Sequence, residues 1–299
     1  MPVRVVIDSS AGLPPQVADD LGITVLPLHL LGEEEEKTTS GLTALELAAS
    51  YARQLERGGD EGVVALHLSK ELSSTWSAAV AACGVFDDNV AVIDTKSIGM
   101  CVGAAAMATA RLAQDGANLK DCVDLAKDTL ARSKTWIYLH RIDEIRRSGR
   151  ISTATAVVST ALATKPIMEL VEGRVELAVR SRTQVKALAK LTDLIEQRAD
   201  GQPVFIAIQQ FEAKEAARSL EEQLLATLPE GSSVIIAEME PTLAVHCGPG
   251  ALGISAVFSQ HEPVLNESPT PEPVPTGGDV VAEAEDESPP DGQSPATSS

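Results

Sequence analysis

Apolar positions recur along this chain in two rhythms. Short, near-continuous apolar runs at residues 3–7, 62–65 and 90–93 read as strands buried on both faces. Between them, residues 13–21, 43–56, 98–114 and 119–132 read as helices. Pro14 and Pro15 open the first of these, where a missing N–H does no harm. Strand alternating with helix predicts a doubly wound parallel sheet, which takes ligands at the C-terminal ends of its strands. Residues 23–31 read as one further strand, with Pro27 forcing an edge position or a bulge. From about residue 131 the style changes to adjacent strands. A strand at 135–140 precedes a hairpin over 166–179 that turns on Glu172-Gly173; helix 185–198, strand 204–208, helix 213–228 and strand 233–237 follow. The expected fold class is therefore α/β with two domains. Residues 1–130 form an N-terminal doubly wound parallel-sheet domain, and residues 131–260 a C-terminal mixed-sheet α/β domain. Residues 261–299 are rich in Pro, Glu, Ser and Thr, lack apolar periodicity, and read as a disordered acidic tail.

Composition narrows the function. The 299 residues are 44% apolar and carry a formal net charge of −19, which argues against a nucleic-acid partner. The excess is uneven, for nine Asp or Glu and no Lys or Arg lie from Glu262 onward. Cys83, Cys101, Cys122 and Cys247 are scattered, form no C-x-x-C pair and have no metal-like spacing with His. They read as free thiols of a reducing cytoplasm. Met1 leads straight into a strand without a signal peptide, and no apolar run approaches a membrane span. A soluble cytoplasmic protein is expected, with no metal and no stable membrane insertion; transient contact with a membrane surface stays open.

Two stretches carry chemistry. The first, residues 66–76, joins a predicted strand to a predicted helix through Ser69, Ser73, Ser74 and Thr75. Hydroxyls there cap the helix, and the same unpaired N–H groups, with the helix dipole, suit an anion such as a carboxylate. The second, residues 244–253, contains His246 followed by Gly248-Pro249-Gly250-Ala251-Leu252-Gly253. This matches G-x-G-x-x-G, but a dinucleotide fingerprint opens a βαβ unit and needs an acidic residue on the next strand. Here the ordered chain ends almost at once, so the nucleotide reading fails. The glycines say instead that the backbone after His246, expected at a strand end, turns tightly and passes close to something. A Ser73/His246 pair would make a nucleophilic hydrolase of acyl substrates, although G-x-S-x-G is absent. His67 reads as a core or strand-end histidine. The helix over 98–114 is rich in small residues, including Gly99, Gly103 and Ala104 to Ala106, with Met100 and Met107 between them. Such a stripe means close helix packing, or room for a slim apolar ligand beside adaptable methionines.

The motifs Asp8-Ser9-Ser10-Ala11-Gly12-Leu13-Pro14, Thr38-Thr39-Ser40, His67-Leu68-Ser69 through Thr75, Gly149-Arg150-Ile151-Ser152, Lys165-Pro166 and residues 245–253 occur in an order that resembles the DegV family. The resemblance covers residues 3 to about 258 and implies a two-domain bacterial protein that binds one long-chain fatty acid. It also implies a role as the acyl-presenting, non-catalytic subunit of a fatty acid kinase, whose ATP-binding partner phosphorylates the bound carboxylate. By the same resemblance Thr39, Ser73 and His246 hold the carboxylate, while Ser74, Arg182 and Gly248 lie at the pocket mouth. Met100, Gly103, Met107 and Ala161, the last within a small-residue helix over 154–163, would line the acyl tail. No cofactor is implied beyond the bound fatty acid. The chain departs from the family pattern in a short loop at Glu33 to Glu36, in Ser74 where glycine is usual, and in Cys247 where threonine is usual.

Overall fold

The apolar runs of the first half assemble as a parallel sheet. The computed structural model describes residues 2–32, 37–151 and 164–260. β1 (Arg4–Asp8), β2 (Thr24–Leu26), β5 (Val63–His67) and β6 (Val90–Asp94) pair in the order β2-β1-β5-β6, all parallel. Alternate residues of β1 and β5 point to opposite sides, and both sides are covered. Val5, Ile7, Val64 and Leu66 pack with α1 (Pro15–Leu21), α4 (Met100–Gln114) and α5 (Leu119–Ala131). Val6, Val63 and Ala65 pack with α2 (Ala44–Gly58) and α3 (Thr75–Cys83). This two-sided burial is why these strands show no polar alternation. Thr43 starts α2 with a reciprocal cap: its side chain accepts from the Glu46 N–H, and the Glu46 carboxylate accepts from the Thr43 N–H.

One expectation is corrected here. Residues 23–31 form two strands rather than one. The chain leaves the sheet after Leu26, and β3 (His29–Leu31) pairs instead with β4 (Thr38–Ser40) in a separate antiparallel ribbon. Pro27, lacking an N–H, ends the edge strand.

A second, mixed sheet follows. β7 (Ser133–Tyr138), β8 (Lys165–Val171), β9 (Arg174–Ser181), β10 (Val204–Phe211), β11 (Ser233–Glu238) and β12 (Ala251–Phe258) stand in the order β11-β10-β12-β7-β8-β9. Only the β10–β11 pair is parallel. Glu172 and Gly173, both at positive φ, make the tight β8–β9 turn. One face is sealed by α7 (Gln184–Ala199) and α8 (Lys214–Thr227) over Trp136, Tyr138, Ile206 and Ile208. The other face carries Ile137 and Leu139 toward Leu68 and Ile98 of the first lobe. Two short helices, α6 (Asp143–Arg147) and α9 (Pro241–Cys247), lie on that side.

β12, for which the glycines give no strand signal, runs through the middle of the second sheet, between β10 and β7, and the described chain ends two residues after it. The small residues of α4 also find their reason. This helix packs against β1 on one side and β12 on the other, and a Cβ on Gly103 would stand 2.8 Å from the Met100 sulfur. Met100 and Gly103 are thus core packing. Among the described residues no helix is long and apolar enough to cross a membrane. Residues 33–36, the helix expected over 154–163 with Ala161, and the tail from residue 261 lie outside the described residues.

Candidate functional site

Where the strand ends of the first sheet meet the inner face of the second, a cavity of about 360 Å3 opens. Its walls are mostly aliphatic, with Leu28, Leu68, Leu72, Ile98, Ile137, Ile145, Val175 and Leu243. Its polar groups are Thr39, Ser40, Ser73, Ser74, Arg150, Thr242 and His246. An apolar chamber with a few convergent polar groups is the general form of a small-molecule site.

Each polar group is placed by local structure. Leu68 and Ser69 leave β5 and turn back, with the Ser73 N–H donating to the Ser69 carbonyl over 3.2 Å. The Thr75 N–H, in the first turn of α3, donates to the Ser73 hydroxyl over 3.2 Å, and Thr75 Oγ1 lies 3.0 Å from the same oxygen. Ser73 rather than Ser74 therefore caps the helix through its side chain; Ser74 makes no such bond and is exposed. Gly41 brings the backbone close: a Cβ there would stand 2.7 Å from Thr75 Oγ1 and 3.0 Å from Ser73 Oγ. The Ser69 hydroxyl donates to the Gly173 carbonyl over 2.8 Å, tying this loop to the β8–β9 turn.

His246 lies in the last turn of α9, not at a strand end as expected. Glu240 accepts from the Thr242 N–H, Pro241 occupies the first turn, and Gly248 leaves the helix at positive φ. Those three residues are the signal that identifies a helix there. His246 Nε2 sits 2.8 Å from Thr39 Oγ1, which joins α9 to β4 across the cavity. The imidazole is half-buried, and its pKa is pushed down to about 4, first by burial and then by the nearby Arg150 guanidinium. It is therefore neutral at physiological pH.

This depression has a measurable consequence. The unfolded chain takes up the His246 proton near the ordinary value of 6.5, whereas the folded chain resists until about pH 4. The stabilisation this supplies is complete above pH 6.5 and is withdrawn as pH falls toward 4. In ligand-free protein, His246→Gln should lose less melting temperature across that window than wild type. Parallel melting curves for the two proteins would show that the imidazole titrates normally.

Thr39, Ser73, Ser74 and His246 thus converge on one cavity. Arg182 is exposed and does not line it. Gly248 is buried against Glu144 and does not line the cavity itself, although its neighbour Cys247 does. Met100 and Gly103 are buried on α4, half-buried Met107 packs against the same core from its edge, and none of the three lines the cavity. Arg150 belongs to the Gly149-Arg150-Ile151-Ser152 motif, whose spacing points to no role for it. Its half-buried guanidinium, held by the Ser148 carbonyl, is the cationic group of the cavity lining. The aliphatic walls join Leu28, Leu68, Leu72 and Ile98 of the first lobe to residues of β7, α6, β9 and α9, a convergence no local spacing announces. A Ser–His nucleophile pair is not formed in this arrangement: the Ser73 hydroxyl is engaged with Thr75, and His246 with Thr39. Among the described residues no group of three His, Cys, Asp or Glu side chains is arranged to hold a metal ion.

A family model described as "Uncharacterised protein, DegV family" matches residues 30–259. The chain is 67% identical over 267 residues to a DegV domain-containing protein of Corynebacterium glutamicum, spanning 89% of this chain and 97% of that one. A crystal structure of a DegV family protein from the same organism superposes with a TM-score of 0.85, covering 88% of this chain and all of the other at 67% identity. A DegV family protein from Thermus thermophilus, whose structure is described as showing fatty acid binding, gives a TM-score of 0.79 at 26% identity, covering 86% of this chain and all of that one. DegV of Bacillus subtilis, described as a fatty acid binding protein, gives 0.75 at 26%, covering 86% and 99%.

Proposed function

The chain belongs to the DegV family, and from that premise and its cavity we propose that it binds one long-chain fatty acid. The carboxylate lies among Ser73, Thr39, His246 and Arg150, and the acyl chain runs along the aliphatic wall. The observation that carries this reading is the division of the cavity into a polar cluster and an apolar chamber of about 360 Å3. Hydroxyls, a cation and the first turn of α3 suit a carboxylate, while each buried CH2 contributes about 0.8 kcal/mol. The tail sets affinity and the polar end sets orientation. The relatives from T. thermophilus and B. subtilis, described as fatty acid binding, support the same ligand class.

In this reading the chain performs no chemistry of its own and belongs to the cytoplasm. It presents the carboxylate to an ATP-dependent kinase partner, which supplies nucleotide and metal for acyl-phosphate formation. Exposed Arg146 and Arg147 follow Ile145, a wall of the cavity. They are ion-paired with Asp143 and Glu144 of the same helix, so this edge presents both signs of charge to a partner. The two domains, residues 1–130 and 131–260, meet over the ligand.

The test is mass spectrometry of the purified protein under native and then denaturing conditions. A fatty acid released at near one-to-one stoichiometry is expected. Absence of any adduct, also after incubation with palmitic and oleic acids, would overturn the reading.

A further inference from the structure

Behind the aliphatic wall lies a second, smaller recess of about 20 Å3. Ile98, Ile137, Leu243 and Cys247 border both spaces, so the recess adjoins the chamber directly. Its remaining surface is of a different chemistry, with Gln209, Ser255 and Thr135 beside the bare backbone of Gly99 and Gly253. Gln209 is only 2% exposed, and its side-chain nitrogen is buried without a hydrogen-bond partner.

The amide has not arrived there by default. Gln209 lies on β10 opposite Gly253 of β12, on the inner face of the sheet. Its carboxamide is seated between two glycines at positive φ. A Cβ on Gly12 would fall 1.8 Å from Nε2, and one on Gly99 would fall 2.7 Å from Oε1. A slot built only for a saturated hydrocarbon gains nothing from an amide here, since a buried N–H2 without a partner carries its full desolvation penalty. Leucine or methionine would line the same wall without that cost. A site that holds an unpaired polar group favours ligands that pair it and rejects analogues that do not.

We infer that this recess reads an oxygen substituent on the acyl chain, a hydroxyl by size and chemistry, with the Gln209 amide as its hydrogen-bonding partner. A hydroxyl both accepts from Nε2 and donates to an oxygen acceptor, and the volume admits about one water-sized group. The inference rests on the fatty-acid reading above and names a subclass of ligand within it, the hydroxylated long-chain acids.

The experiment is competitive displacement of a fluorescent fatty acid from the full chain by stearic acid and by a positional series of monohydroxystearic acids, from mid-chain to the terminal carbon. At least one isomer is expected to bind about threefold to tenfold tighter than stearic acid. In Gln209→Met that ratio should fall to one or below. Stearic acid binding with every isomer weaker would overturn the inference and leave the recess to an ordered water. A preference that survives unchanged in Gln209→Met would overturn it too. Should that variant fail to fold, the wild-type ratios and the same ratios in Ser255→Ala decide. Failure of stearic acid and all isomers to bind would instead overturn the fatty-acid reading itself.

Discussion

Ser73→Ala is expected to bind free fatty acids about ten- to a hundredfold more weakly while binding their methyl esters as wild type does. The hydroxyl stands just before α3, where the Thr75 N–H and Thr75 Oγ1 fix its oxygen. With Thr75 Oγ1 as the donor between the two hydroxyls, the Ser73 proton can turn from that contact toward a bound carboxylate. Deleting it removes a hydrogen bond to a charged group, worth about 1.5–3 kcal/mol, or one to two decades in affinity. Contacts along Leu28, Ile137, Ile145 and Val175 are untouched, so the hydrocarbon part of the binding energy survives. An ester cannot draw on the charge-assisted bond and therefore reports the tail alone. Competition of palmitate against methyl palmitate in wild type, Ser73→Ala, Thr39→Ala and His246→Ala separates the two contributions. Equal acid-over-ester preference in all four would show that the carboxylate is held elsewhere.

How far these features are legible in the sequence depends on whether their cause is local. β1, β5 and β6 announce themselves because strands buried on both faces need uninterrupted apolar runs. The Ser73 turn does too, because helix caps are written in neighbouring residues. β12 is hidden for a local reason. Glycines at 248, 250 and 253 lower its strand signal, yet Gly253 sits in the sheet opposite Gln209, where its missing side chain leaves room. The α4 stripe is legible as small and ambiguous as to purpose; its position between two sheets, a tertiary fact, decides for packing. Arg150 and the aliphatic walls are illegible in a stronger sense. Arg150 follows α6, and the walls join Leu28, Leu68, Leu72 and Ile98 of the first lobe to residues of β7, α6, β9 and α9, which meet only after both sheets have formed.

The buried network beneath the site carries the largest expected effect on stability. Asp8, 1% exposed at the end of β1, accepts from the Ser10 N–H at 3.1 Å, the Ser10 hydroxyl at 2.5 Å and the Leu68 N–H at 2.9 Å. Its second oxygen also lies 3.1 Å from His67 Nδ1. On the far side of that ring, Nε2 is 2.8 Å from the Tyr51 hydroxyl. Both Asp8 oxygens already accept from backbone N–H groups, so Nδ1 carries the hydrogen toward Asp8 and Nε2 of the neutral ring accepts from the Tyr51 hydroxyl. Every bond to Asp8 is thus accepted, and none of these donors has water to turn to. Asp8→Asn keeps the shape but offers one acceptor oxygen and sets an N–H2 against the Ser10 donors or against Leu68 and His67. The expected cost is about 3 kcal/mol or more, a fall in melting temperature of roughly 6–12 °C for a fold of this size. Tyr51→Phe removes a single neutral bond from the same network and should cost about 1 kcal/mol. Because Leu68 begins the loop that ends at Ser73, Asp8→Asn should also narrow the acid-over-ester preference, which Tyr51→Phe should leave nearer to wild type. Thermal unfolding of the two variants, with the palmitate competition repeated on each, measures both effects. A smaller melting shift for Asp8→Asn than for Tyr51→Phe would show that the carboxylate does not hold the loop.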